Sequence, residues 1–171
     1  TKYRYTSFKN SFQILKIIIM KLRFLIILTV LIIVPCIVIS QTHIWTGAGG
    51  DNNWFNSSNW NTGSVPNSDS DVFIPTDFTV EINEPASANT IEISGISTFI
   101  INHDLNLSGQ FINPVGSNID WYKGKISGAD SIKNSGMIQL TSFDDKELIN
   151  STLENAGTVY IINSNNIRIS E

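Results

Sequence analysis

Ser131-Ile-Lys-Asn-Ser-Gly-Met-Ile-Gln-Leu140 lies over Thr152-Leu-Glu-Asn-Ala-Gly-Thr-Val-Tyr-Ile161 position for position. The pairs Ile132/Leu153, Asn134/Asn155, Gly136/Gly157, Ile138/Val159 and Leu140/Ile161 share one offset, 153 − 132 = 21. Gln110-Phe-Ile-Asn-Pro-Val-Gly-Ser-Asn-Ile-Asp-Trp121 is a looser third copy, with Asn113 and Gly116 spread by one extra residue. Ile91-Glu-Ile-Ser-Gly95 is a short echo of a fourth. A period near 20 made of short strands and an Asn-x-Gly corner predicts a β-solenoid, each turn stacked on the last at about 4.8 Å. Asn and Gly suit the corners because both tolerate left-handed backbone, while the alternating Ile, Leu, Val and Phe point into the coil. An antiparallel sandwich is the competing fold, since it also spaces short strands closely.

Outward from the repeat, the same texture continues. Phe78–Ile82, Thr90–Ile93, Thr98–Asn102, Met137–Leu140 and Thr158–Ile162 read as strands, each bounded by Gly or Asn. No stretch past Gln41 keeps a helical period, and β-branched residues alternate with polar ones throughout, so the chain is all-β. The expected architecture is a right-handed parallel β-helix over residues 78–171. The chain stops at Asn166-Ile-Arg-Ile-Ser-Glu171, in an alternating strand with no polar cap after it, which reads as part of a longer protein.

Before the repeats, residues 41–77 form a Trp- and Gly-rich segment with Trp45-Thr-Gly47, Gly49-Gly50-Asp51, Trp54, Asn59-Trp60, Gly63, Pro66, Asp69, Asp71, Val72 and Ile74. Trp45, Trp54 and Trp60 are large enough to cover the open end of a coil, each indole N–H donating to a turn carbonyl, with Asn59 capping a local turn. The functional alternative is a platform on which sugar rings stack. This segment resembles the one that opens many large bacterial surface proteins, including autotransporter-type adhesins and secreted repeat proteins of the Bacteroidetes. The resemblance implies an exported β-helix at a cell surface, often adhesive, and it implies no catalytic residue.

Further back, Met20-Lys-Leu-Arg23 is a short basic start, and Phe24–Ile39 is an apolar run broken only near its end by Pro35. Ser40 follows, with Val38 two places before it. This is the layout of a secretory signal peptide over residues 20–40, a leader helix cut after Ser40. An uncleaved anchor is the alternative, although a spanning helix needs about 20 apolar residues and this run is shorter. Residues 1–19 read as a non-native upstream extension.

Charge follows the same division. Six of the 11 Lys and Arg precede Gln41, so five face all 15 acids in the remainder, 5 − 15 = −10. That balance disfavours nucleic acid and anionic lipid as partners. The single cysteine, Cys36, lies within the leader, so the mature part carries no disulfide.

Candidate chemistry is sparse. Asp69-Ser-Asp71, with Asp51 upstream, could offer oxygens to a structural Ca²⁺, but lacks the Gly and closing Glu of an EF-hand loop and reads first as a solvated turn. His103 and Asp104 are sequence neighbours on a strand, so their side chains point apart and form no dyad. Asp144-Asp145 before Lys146-Glu147 reads as an exposed corner, and the repeat sets Glu154 one turn from Lys133 as a surface pair. Asn56, Asn106 and Asn150 head glycosylation-type triplets, which arise easily in a chain so rich in Asn and Ser. No catalytic, cofactor-binding or metal-ligating residue is assigned, and no cofactor is expected. The expected role is an exported structural or adhesive protein that meets glycans or surface proteins. The alternative is a carrier, or the N-terminal part, of a polysaccharide-degrading β-helix enzyme.

Overall fold

In a computed structural model of the chain, residues 16, 19–23, 41–162 and 166–170 are described. The chain divides into two units, Thr1–Val38 and Ile39–Glu171. In the first, Lys16, Ile19 and Met20–Arg23 are helical and exposed. The expected leader run 24–40 lies outside the described residues. Among those described, no helix is long and apolar enough to cross a membrane.

The second unit is a β-solenoid. A leading strand β1 (Gln41–Ile44) is followed by five coils of three strands. Coil 1 holds β2 (Ser70–Ile74), β3 (Thr79–Ile82) and β4 (Ala86–Ala88). Coil 2 holds β5 (Thr90–Ile93), β6 (Thr98–Ile101) and β7 (Leu105–Leu107). Coil 3 holds β8 (Gln110–Asn113), β9 (Asn118–Trp121) and β10 (Gly124–Ser127). Coil 4 holds β11 (Ser131–Asn134), β12 (Met137–Thr141) and β13 (Lys146–Ile149). Coil 5 holds β14 (Leu153–Asn155), β15 (Thr158–Ile162) and β16 (Ile167–Ser170). The strands stack as three parallel sheets: β1-β2-β5-β8-β11-β14, β3-β6-β9-β12-β15 and β4-β7-β10-β13-β16. Parallel pairing between neighbouring strands throughout excludes the antiparallel sandwich.

Register makes the interior a set of vertical columns. Ile91, Phe111, Ile132 and Leu153 stack in the first sheet. Phe99, Ile119, Ile138 and Val159 stack in the second. Leu105, Ile126, Leu148 and Ile169 stack in the third. Residues alternate inward and outward along each strand, so a one-residue slip would expose a whole column. The coil length is not constant: Thr79 pairs Thr98, an offset of 98 − 79 = 19, whereas Gly124 pairs Lys146, an offset of 146 − 124 = 22. The differences are taken up at corners. Between Asn113 and Asn118 the chain uses two more residues than between Asn134 and Met137, the residues paired with them. Gly116 falls in that longer corner, with φ 91°, and is not the counterpart of Gly136.

The Asn-x-Gly corner works differently from the expectation. Neither Asn134, Asn155, Gly136 nor Gly157 has a positive φ. The asparagines point inward and bond to one another up the stack: Asn113 Nδ2 donates to Asn134 Oδ1, and Asn134 Nδ2 to Asn155 Oδ1, both at 2.6 Å. Asn113 Nδ2 also reaches the Met137 carbonyl at 3.0 Å, and Asn134 Nδ2 the Thr158 carbonyl at 3.3 Å. Asn113 and Asn134 are fully buried, so these bonds answer polar groups with no access to water. The glycines are there for closeness. A Cβ on Gly136 would press on the carbonyl oxygens of Pro114 and Ser117, and one on Gly157 on the Gly136 carbonyl and, at 2.7 Å, the Ser135 carbonyl carbon.

Asn134→Ala therefore strips the middle rung and leaves the buried Asn113 amide with one of its two acceptors, the Met137 carbonyl. A loss of about 3 kcal/mol is expected by denaturant titration, from the hydrogen bonds that the Asn134 side chain makes. A loss below about 0.5 kcal/mol, the range of an ordinary surface change, would contradict the ladder.

Candidate functional site

The stretch 45–69 is the part of the solenoid unit that is not a coil, and it closes the top of the stack. β1 adds a sixth strand to the first sheet through Gln41↔Ser70 to Ile44↔Phe73. Over the second sheet, Trp54 N donates to the Glu81 carbonyl at 3.0 Å, and Glu81 N to the Asn52 carbonyl at 2.8 Å. These bonds satisfy strand edges that a further coil would otherwise have to meet.

Trp45, Trp54 and Trp60 fill the space inside. Trp60 stands edge-to-face on both others, with ring centroids 4.9 Å apart in each case. Trp54 continues the contact downward to Phe99 at 5.8 Å, and Phe99 to Phe111 at 5.4 Å. Coil 1 turns only Ala86 and Ala88 inward from β4, where later coils carry Leu105, Ile126 and Leu148, and the three tryptophans belong to the same buried core. Their exposures are 1, 0 and 3 %, so no indole face is open for a sugar ring to stack on. The sugar-platform reading of these three residues does not fit the structure. The Trp60 indole N–H donates to the Trp54 carbonyl at 2.8 Å, as expected of a cap, whereas the Trp54 indole N–H has no partner.

A polar hub holds the loop in shape. Asn59 is fully buried; its Nδ2 donates to Asp51 Oδ1 at 2.7 Å and to the Asn53 carbonyl at 3.1 Å, and its Oδ1 accepts from Gly49 N at 2.8 Å. A Cβ at Gly49 would stand 2.5 Å from Asn56 Nδ2 and 2.6 Å from Asn59 Oδ1, so the position requires glycine. The short 3₁₀ turn Ser57–Asn59 is capped by Asn56, not by Asn59, through Asn56 Oδ1 and Ser58 N at 3.0 Å. Asp51 accepts from Asn56 Nδ2, Asn59 Nδ2 and Asn53 N. Those three bonds, Asn56 foremost, hold its carboxyl below the ordinary 3.8.

The remaining candidate residues are dispersed. Asp71 Oδ1 accepts from Asn89 Nδ2 and Thr90 Oγ1, both at 2.8 Å, tying coil 1 to coil 2. Asp69 N donates to Asn67 Oδ1 in a local turn. Among the described residues, no three of His, Cys, Asp or Glu are grouped as metal ligands. His103 Nδ1 accepts from the backbone N of Asp104, and Asp104 Oδ1 accepts from Lys125 N, so the two side chains serve different partners. His43 is buried at 2 %, edge-on to Trp60 at 6.0 Å. Lys133 and Glu154 are register neighbours on an outer face, and Lys125 pairs Glu147 at 3.2 Å on another.

Lys146 departs from the exposed corner expected for it. Asp144 and Asp145 are exposed, but Lys146 is fully buried. Its Nζ donates to the Asp144 carbonyl at 3.0 Å and the Ser142 carbonyl at 3.3 Å. Burial lowers its pKa, against the pull of Asp144 and Asp145. The alternation of Lys146 with Leu148 is the one signal of this in the sequence, since both fall on one side of a strand.

No family model matches the chain, and neither a curated protein nor a solved structure matches it.

Because the ionised form of Asp51 is favoured in the folded cap, its contribution is complete above pH 3.8 and is lost as pH falls through the lower folded value. The thermal stability of wild type relative to Asp51→Asn, followed by tryptophan fluorescence, should shrink as pH falls below about 5. A difference that stays constant over that range would count against the hub.

Proposed function

We propose that this chain is an exported structural or adhesive protein, whose solenoid presents repeating outer faces to surface glycans or surface proteins. The observation that carries the reading is the ordering of outward-facing side chains, half-buried to exposed, into ranks that run from coil to coil. Thr79, Thr98, Asn118, Met137 and Thr158 form one such rank on the second sheet. Lys125, Glu147 and Arg168 form another on the third. Ranks at about 4.8 Å intervals suit a partner that itself repeats, because many weak contacts then engage together. The leader layout of Met20–Ser40 and the likeness of the Trp/Gly segment to those of bacterial surface proteins support export. The polar chemistry described above is spent on holding coils, corners and cap, which supports a role without catalysis.

Fused to a reporter in a bacterial host, the chain with residues 20–40 should reach the exterior, and the chain without them should stay inside. The exported form should be retained on polysaccharide or cell surfaces, and block substitutions along one outer rank should release it. Cleavage of polysaccharide, abolished by single acid-to-amide changes, would instead support the enzyme-associated reading.

A further inference from the structure

The corner between the second and third sheets is longer in coil 4 than in coil 3. Between Trp121 and Gly124 lie two residues, 124 − 121 − 1 = 2. Between Leu140 and Lys146, which pair with them, lie five, 146 − 140 − 1 = 5. Coil 3 turns the same corner without the extra length, so stacking does not require it. In repeat proteins such insertions map to loops on one face, often the face that binds.

The longer corner is held in one shape. Ser142 has φ 97°, left-handed backbone that a residue other than glycine keeps only where its surroundings impose it. Its hydroxyl donates to the Tyr122 carbonyl of coil 3 and accepts from Asp144 N at 3.3 Å. From inside the coil, the buried Lys146 ammonium donates to the Ser142 carbonyl at 3.3 Å and the Asp144 carbonyl at 3.0 Å. Those two residues flank Phe143. With the backbone clamped on both sides of it, little ordering cost is left for a partner to meet.

What the corner carries is an aromatic ring in water. Phe143 is 66 % exposed, Tyr122 is exposed one coil below, and Asp144 and Asp145 are exposed next to Phe143 in the chain. The C–H face of a pyranose packs on an aromatic face, and its hydroxyls donate to nearby carboxylate oxygens. A protein partner needs a wider apolar patch around such a ring, in place of two carboxylates. Those carboxylates also favour a neutral sugar over an acidic one. We propose that the coil-4 corner is a binding site for a neutral polysaccharide, with Phe143 as the stacking face and Asp144 and Asp145 as acceptors for its hydroxyls. This rests on the reading of the solenoid as an adhesive surface and gives that surface its glycan contact.

The test is affinity electrophoresis of the full chain in gels that contain dextran, mannan or hydroxyethyl cellulose. Wild type should be retarded in at least one gel, and Phe143→Ala should weaken that binding roughly tenfold, the scale of one lost ring contact. Phe143→Trp, which keeps an aromatic face, should bind at least as well as wild type. Val115→Ala, which trims an exposed apolar side chain at another corner, should bind as wild type does. Thermal midpoints of all three variants should stay close to that of wild type, since both positions are exposed. Retardation that survives Phe143→Ala, or that Val115→Ala reduces equally, would overturn the site and leave glycan adhesion standing. Wild type that is retarded in none of the three gels would overturn it as well. If that protein is still retained on cell surfaces, the adhesive reading stands without this site; if it is not, both fall.

Discussion

The amide ladder Asn113–Asn134–Asn155, buried at its first two rungs, is the interaction that fixes the register of coils 3 to 5. Apolar columns alone set register loosely, because one Ile packs nearly as well on the next coil's Leu as on its Val. An amide inside the stack has no such tolerance. A slip that parts Asn113 from Asn134 takes from the buried Asn134 oxygen its donor, at about 1–3 kcal/mol. The same residues govern the corner. The Asn113 carbonyl accepts from Ser135 N and Gly136 N, and the Asn134 carbonyl from Ala156 N and Gly157 N. One residue type thus secures the register inside and the bend outside, and the glycine two places on lets the coils approach.

The cap follows from the same geometry at the other end of the stack. A parallel sheet offers unpaired groups at its first strand, and a coil offers an open apolar interior. β1 and the Asn52–Trp54 backbone meet the strand edges, and three edge-to-face indoles close the interior. Aromatic contacts of this kind add about 0.5–1.5 kcal/mol each beyond the area they bury. The Asp51–Asn59 hub then fixes the loop that carries them. The three tryptophans of the cap that draw the eye in the sequence are consequently structural.

Much of this is legible in the amino-acid sequence alone. The common offset between Ser131–Leu140 and Thr152–Ile161 is the register of β11 with β14 and of β12 with β15. The strands read at Thr90–Ile93 and Thr158–Ile162 coincide with β5 and β15 to the residue. The limits have physical causes. Coils of unequal length blur a periodic signal, so the early coils barely register as copies. β1 is too short to show a period of its own, and its place beside β2 depends on pairing Gln41 with the distant Ser70. Asn and Gly carry two meanings, left-handed backbone or close approach with an inward amide, and only the stacked neighbour decides between them. Lys146 shows the same limit: charge suggests solvent, whereas its column and the Ser142 and Asp144 carbonyls place it inside.

The parallel one-coil register can be read directly in solution by cross-linking. With Cys36 replaced by Ser, Lys133→Cys with Glu154→Cys sets two thiols on adjacent strands, about 4.8 Å apart in backbone spacing and within disulfide reach. Ile112→Cys with Glu154→Cys sets them two coils apart on the same face, at about twice that spacing and beyond reach. The solenoid predicts that the first pair oxidises readily and the second does not. Failure of the first pair to close, or closure of both at the same rate, would contradict the stack.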